Sequence, residues 1–378
     1  MPQGIRRDRH PGKFPSVGIA VGRVTRRLDV PGAALCPPCY PHRIVRPATD
    51  VRDISRIAYG FMASKALFAA LNLDLFTRLA GGVKDLPTLS RETGVALNRL
   101  DTLLAVLTSH GLLVRDPAGW ANAPACERYL VRGTPADFGD YYRSQVDRLI
   151  YPALQHLDAG LAGDRGGLAP RFDQLDPARA ADFSRAQHAG SLGPALLLAK
   201  SVDLRGRRTL LDVGGGSGAF SIVLCRAHPE LRSTIVDYPN MIEVARRFAA
   251  EAGLADRIDF VAGEAGQAPW PDGQDVVLMS YLLSAVPGPA IDPLLERART
   301  ALRPGGVLLV HDFMLDDGRD GPALAAAWFL VYLASSVDNV SFTIADIYAR
   351  LARHGFTDIT AQPLVHEVTT VLTARAAA

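Results

Sequence analysis

The sequence predicts an α/β protein, a doubly wound and mostly parallel sheet behind a mostly helical N-terminal domain of winged-helix outline. Three observations carry this. From Arg207 onward, short apolar runs rich in β-formers alternate with amphipathic helical stretches. One such run, Leu210-Leu-Asp-Val, ends in a glycine turn, Gly214-Gly-Gly-Ser-Gly, with a helical pattern just beyond it. Between residues 85 and 122 the order is helix, turn, helix and a two-stranded wing.

The 378 residues suit two or three domains, and 48% apolar with 21% charged residues is ordinary globular composition. A net charge of +2 gives no electrostatic footprint for nucleic acid. Residues 1–50 differ from the rest. They hold nine basic residues against Asp8, Asp29 and Asp50, so they are +6 and the remainder is −4. Eight of the 26 prolines lie there too. A basic, Pro-rich stretch without periodicity reads as a disordered extension, with a transit peptide as the alternative. Cys36-Pro-Pro-Cys39 with His42 falls short of the four ligands of a closed zinc site, so no metal is expected. No apolar run is long enough to span a membrane, and four cysteines make no disulfide framework. A cytoplasmic protein is the expectation.

Residues 51–165 are assigned to the helical domain and 166–378 to the sheet domain. Tyr59–Phe76 carries a wide apolar helical face, which Gly81-Gly82 ends. Asp85–Gly94 and Asn98–Gly111 are two short helices across a glycine turn, and Leu112–Asn122 is strand, turn, strand. The second of these helices offers Asn98, Arg99 and Asp101 and then mostly apolar residues, a composition that suits packing or dimerisation rather than a DNA groove. Residues 140–200 continue in helical pattern, interrupted over 160–167. Strands are expected at Thr209–Val213, Ser233–Val236, Ile258–Val261, Val276–Ser280 and Val307–His311. Helices are expected at Ser221–Ala227, Met241–Glu251 and Ile291–Leu302. In such sheets ligands bind beyond the carboxyl ends of the strands.

The glycine turn carries the chemistry. Its glycines allow positive φ and close approach of backbone to a ligand, and the following helix presents its N-terminus to it. Asp237 ends the next strand, 23 residues past Gly214, where an acid can accept both hydroxyls of a ribose. The turn meets the relaxed dinucleotide pattern G-x-G-x-x-G/A through Gly214, Gly216 and Ala219. It also meets D-x-G-x-G-x-G through Asp212, Gly214, Gly216 and Gly218, the stricter match. A carboxylate at 212 suits a cationic ligand and is poorly placed against a pyrophosphate.

The stricter pattern resembles the S-adenosylmethionine (SAM) site of class I methyltransferases, with their Rossmann-like sheet. The resemblance widens over about 55–375 to the cation-independent small-molecule O-methyltransferases, a family that includes acetylserotonin, phenolic, carotenoid and antibiotic-tailoring enzymes. Met62-Ala-Ser-Lys-Ala-Leu-Phe, Ile150-Tyr-Pro, Ser191-Leu-Gly-Pro-Ala, Asp237-Tyr-Pro and Arg303-Pro-Gly-Gly-Val-Leu-Leu-Val carry it. It implies a homodimer held by the winged-helix domain, a small-molecule acceptor and SAM as cofactor. Asp212, Gly214, Gly216, Gly218, Asp237, Glu264 and Ser280 are the implied cofactor residues, with Ser191 a weaker carry-over. The family's catalytic His follows five residues after a strand-ending Met. That Met is Met279 here, and Ser284 occupies the place of the His. Ser284, Tyr281 and Asp312 are therefore the catalytic candidates, and His311 is expected to be a core histidine. Trp328–Tyr332 and Ser335–Asn339 fall where relatives line the acceptor pocket. Arg148 and Tyr151 are candidates for closing it or for the dimer interface. O-methylation of a hydroxylated aromatic or isoprenoid metabolite is the implied reaction. C-methylation, SAM-dependent chemistry without methyl transfer, and a winged-helix regulator are the alternatives.

Overall fold

The structure, a computed structural model, describes residues 46–163 and 176–377. Cys36, Cys39 and His42, and almost all of the basic N-terminal segment, lie outside them. The N-terminal half is helical: α1 (Val51–Ala58), α2 (Gly60–Asn72), α3 (Leu75–Arg78), α4 (Leu86–Thr93) and α5 (Leu97–Ser109). The wing β1 (Leu113–Asp116) and β2 (Gly119–Asn122) and then α6 (Pro124–Tyr129) follow. Local chemistry sets the boundaries. Asp50 and Thr343 each complete a capping box, at α1 and at a helix near the C-terminus, and the Asp85 carboxylate accepts the Thr88 N–H at 2.8 Å to start α4. Gly94 ends α4 at φ +71°. In α5, Leu100, Leu104 and Leu107 recur at helical spacing and are fully buried with Leu71, Phe76 and Leu89.

The single long helix expected over 59–76 is interrupted. Asp74 adopts φ +51° between α2 and α3, and its carboxylate takes the Arg132 guanidinium at 2.8 Å. A tertiary ion pair accompanies a bend that the apolar period did not announce.

A π-helix (Tyr141–Ile150) leads through α7 (Tyr151–Leu154) and α8 (Leu157–Leu161), and α9 (Pro177–Ser201) follows. The sheet domain then alternates: β3 (Thr209–Val213), α10 (Ala219–Ala227), β4 (Arg232–Asp237), α11 (Pro239–Glu251), β5 (Ile258–Ala262), β6 (Gln274–Ser280), α12 (Ile291–Ala301) and β7 (Leu302–Asp312). It ends with α13 (Ala323–Ser335), α14 (Ile344–Arg353) and a hairpin of β8 (Phe356–Val365) and β9 (Thr369–Ala376). The sheet order is β5-β4-β3-β6-β7-β9-β8, with β9 antiparallel to β7 and β8. The five expected strands are present and parallel. The closing hairpin was absent from the sequence reading and makes the sheet mixed.

Neighbouring residues on one strand serve opposite faces. Leu211, Val277, Met279, Leu308 and Val310 pack in one core with α12 and α14. Leu210, Val276, Leu278 and Leu309 pack in the other with α9, α10 and α11. Both faces are covered, so these strands read as unbroken apolar runs. The strand order reverses between β3 and β6, and the carboxyl ends of β3, β4, β6 and β7 share one edge. That edge is where a doubly wound sheet takes its ligands.

Candidate active site

At the reversal point a cavity opens over the glycine turn, bounded by Gln187 and Ser191 of α9, Asp212, Gly214, Gly216, Ser217, and Ser280 with Tyr281. Gly214, Gly216 and Gly218 stand at φ +69°, +56° and +77°, a region that favours glycine. Gly218 starts α10 instead of lining the cavity. A Cβ on Gly216 would come within 2.7 Å of Gln187 Oε1, and one on Gly214 within 2.9 Å of Leu282. The turn is thus a cradle kept open by missing side chains.

Two acids fix the turn. The Gly216 N–H donates to Asp237 Oδ2 and the Tyr238 N–H to Oδ1, both at 2.7 Å. Asp212 is buried and its Oδ2 accepts the Ser221 hydroxyl at 2.6 Å, with Ser221 in turn 2.8 Å from Ser233. Burial raises both carboxyls to about 6, against these hydrogen bonds, and for Asp212 the Asp237 charge adds to the rise. A cation in the cavity offsets that cost, and SAM carries an ammonium and a sulfonium. The open cradle, the two acids and the buried Oε1 of Gln187, unpartnered among the described residues, therefore fit SAM. Glu264 lies just beyond β5, exposed and 3.0 Å from Gln267 Nε2.

Sequence reading missed two residues of α9. Gln187 faces the turn, and His188 Nδ1 lies 3.0 Å from Ser217 Oγ while its ring stacks on Phe248 at 4.2 Å. Burial lowers His188 to about 4, so it is neutral. The long polar-apolar mixture of α9 held no motif that would have singled them out.

On the β6–β7 side the catalytic candidates come together. The Ser284 hydroxyl donates to Asp312 Oδ1 at 2.5 Å, and the Ser284 N–H donates to Oδ2 at 3.0 Å. The Phe313 N–H also donates to Oδ1, at 2.9 Å. Both residues are essentially fully buried, and burial lifts Asp312 to about 6 in spite of these donors. Asn339 Nδ2 donates to the Ser284 carbonyl at 2.9 Å.

Tyr281, at φ +56°, turns its ring between His311 (4.5 Å) and Phe313 (5.1 Å). This left-handed conformation in a bulky residue is a strained position of the kind found at functional sites. Trp328 stacks on Phe313 at 4.8 Å, and Tyr332 lies 6.4 Å from it. Burial pushes the Tyr141, Tyr281 and Tyr332 phenols well above their ordinary range; the Tyr332 charge adds to the rise of Tyr141 and Tyr281, and the Asp312 charge to that of Tyr281 and Tyr332. Tyr141 comes from the π-helix and packs its ring against Phe138 at 4.8 Å and Tyr142 at 5.7 Å, with its phenol within reach of the Tyr332 charge. Arg148 is exposed and Tyr151 packs edge-on against Phe68 at 6.3 Å; neither borders the cavity.

His311 is the core histidine expected. It is fully buried, with Ser280 Oγ 2.9 Å from Nδ1 and Thr369 Oγ1 2.9 Å from Nε2. Burial lowers it to about 3, so it is a neutral strut behind Ser280. Cys126 and Cys225 are buried thiols raised to about 11 by desolvation. Among the described residues there is no cluster fit to hold a metal and no helix long and apolar enough to cross a membrane.

Comparison with known proteins agrees with this geometry. Residues 172–357 match the O-methyltransferase domain and residues 55–132 the O-methyltransferase dimerisation domain. The chain is 34% identical over 281 residues to a 3-hydroxy-5-methyl-1-naphthoate 3-O-methyltransferase from Streptomyces sahachiroi, covering 72% of this chain and 80% of that one. It is 32% identical over 326 residues to the tetracenomycin polyketide synthesis 8-O-methyl transferase of Streptomyces glaucescens, covering 84% and 94%. Human N-acetylserotonin methyltransferase, solved with SAM, shares the fold at a TM-score of 0.75 and 23% identity, over 88% of this chain and 100% of that one. The turn after β3, the sheet order and these matches together place the chain in the O-methyltransferase family, as a SAM-dependent methyltransferase.

Proposed function

We propose that this enzyme methylates a hydroxyl group on a small aromatic metabolite, and that it works as a homodimer in the cytoplasm. The observation that carries the acceptor reading is the buried Ser284–Asp312 pair, with the Tyr332 phenol against it, in an aromatic cluster of Tyr281, Phe313, Trp328 and Tyr332 whose Tyr281 borders the cofactor cavity. The aromatic wall suits a flat ring. The naphthoate and polyketide relatives support the same class. We divide the chain at about residue 165 into a dimerising half from 51 and a SAM-binding half to 378. The apolar residues Val51, Ile54, Ile57, Tyr59 and Met62, all more than half exposed, supply a surface for the dimer.

SAM supplies a methyl group on a sulfonium, ready for in-line displacement. The chain's own residues do the rest. Asp237 would receive the ribose hydroxyls, Asp212 would face the cationic end, and Gly214 and Gly216 would form the cradle, with Gly218 starting the helix behind it. Ser280 borders it with its hydroxyl held by His311, and Glu264 marks the nucleoside side. At the acceptor, Ser284 Oγ accepts the reacting hydroxyl's hydrogen bond while handing its own proton to Asp312. The acceptor's proton then resides on Ser284 and the serine's proton on Asp312, so charge and protons balance. Tyr281, its hydroxyl bonded to Thr369, offers its ring as part of the wall that orients the acceptor. Positioning supplies most of the acceleration, because well-oriented groups reach effective molarities of about 10⁵ M or more. The relay adds about 10²–10⁴-fold.

The test is a panel of hydroxynaphthoates and hydroxylated polycyclic ketones incubated with SAM and read by mass spectrometry. Methyl ethers from wild type, and their loss with Asp312→Asn, are expected. Products methylated on carbon would replace the hydroxyl by a ring carbon as the acceptor atom.

A further inference from the structure

Gln187 on α9 borders the cavity above the glycine turn. Its Oε1 is buried and has no hydrogen-bond partner among the described residues. It lies 2.7 Å from where a Cβ on Gly216 would stand, so side chain and turn meet because residue 216 is glycine. Of the other polar side chains around the cavity, Ser217 is engaged with His188, Ser280 with His311, and Asp212 with Ser221. A buried carbonyl oxygen without a donor is destabilising. Kept at a ligand cavity, it points to a positive group that arrives with the ligand. The Asp212 carboxylate on the same cavity gives the space a negative lining of which Gln187 is the uncharged part.

We propose that Gln187 is a cofactor-reading residue, whose amide oxygen receives a cationic centre of bound SAM. The proposal rests on SAM as the cofactor. SAM holds two such centres, the sulfonium and the amino-acid ammonium. S-adenosylhomocysteine keeps only the ammonium, and 5′-methylthioadenosine keeps neither.

Calorimetric titration of the full chain with these three compounds tests it, using wild type, Gln187→Leu and Gln187→Glu, each checked for an unchanged melting temperature. Gln187→Leu is expected to weaken SAM about ten- to a hundredfold, the range for a contact to a charged group, and to leave methylthioadenosine within about twofold. Gln187→Glu is expected to bind SAM at least as tightly as wild type. Weakening of SAM alone assigns the sulfonium, and equal weakening of SAM and S-adenosylhomocysteine assigns the ammonium. An equal loss for all three compounds, or none for SAM, overturns the proposal by reducing Gln187 to packing. So does a Gln187→Glu protein that binds SAM more weakly than Gln187→Leu. If wild type binds none of the three, the cofactor assignment fails instead.

Discussion

The two sides of the site are built differently. The cofactor side is made of one short segment, the turn between β3 and α10, completed by the end of the neighbouring strand. Its contacts are largely backbone, as in the Gly216 N–H to Asp237 bond. The acceptor side is assembled from side chains far apart in the chain: Tyr281 and Ser284 after β6, Asp312 at the end of β7, and Trp328 with Tyr332 on α13. A backbone cradle tolerates little change within it but depends on few partners. A side-chain wall can be re-lined residue by residue, which suits a family whose relatives share a cofactor and differ in acceptor.

The sharpest way to break the comparison is to damage one side alone. Asp312→Asn is expected to lower turnover about 10²–10⁴-fold while SAM affinity, read by calorimetry, stays at the wild-type value. Ser284→Ala removes the hydroxyl but leaves the backbone donors to Asp312, so it should fold normally and lose turnover in the same direction. A loss of SAM affinity in either would mean that the two sides are not separable. The converse variant is Asp237→Ala, which should weaken SAM about ten- to a hundredfold, as for lost hydrogen bonds to a charged group. Acceptor binding should follow only through the cofactor.

Gly216→Ala places a Cβ at φ +56° against Gln187. A left-handed Ala costs about 1–2 kcal/mol, and since Gln187 can swing away, that strain should dominate the drop in chemical-denaturation stability. A much larger drop would show that the cradle has no slack.

Acidity separates the sides by mechanism. Asp212 and Asp237 are raised to about 6 by burial, and a cation favours their ionised form. SAM affinity should therefore be full above pH 6 and fall as pH drops through 6, with protons released on binding near that pH. The same raised carboxyls bind a proton more tightly in the folded than in the unfolded chain. Their contribution to the stability of the ligand-free fold is thus fully present below about pH 4 and lost as pH rises through 6. Turnover at saturating SAM should also fall below pH 6, because Asp312 must be ionised to take a proton. Retention of turnover at pH 5 would remove Asp312 from the relay.

The smallest effect on turnover is expected at Ser280→Ala. It leaves His311 Nδ1 without its partner in the core, a loss of about 1–3 kcal/mol in stability with little change in turnover.

Sequence alone determined the parallel strands, the winged-helix outline and the glycine turn with Asp212 and Asp237, because each is written in contiguous residues. Period-two and period-3.6 patterns mark buried faces, and glycines at fixed spacing mark a backbone that must take positive φ. It also marked Ser284 and Asp312 as candidates and His311 as core. The tertiary structure decided the rest. It bent the first long helix at Asp74, where Arg132 pairs from 58 residues away. It added the β8–β9 hairpin to the sheet and brought Gln187 and His188 down onto the turn. It joined Ser284 to Asp312 across 28 residues and stacked Phe313 on Trp328 of α13. These are contacts between distant segments, fixed by how the sheet edge and its covering helices pack, and no local pattern encodes which side chains will meet there.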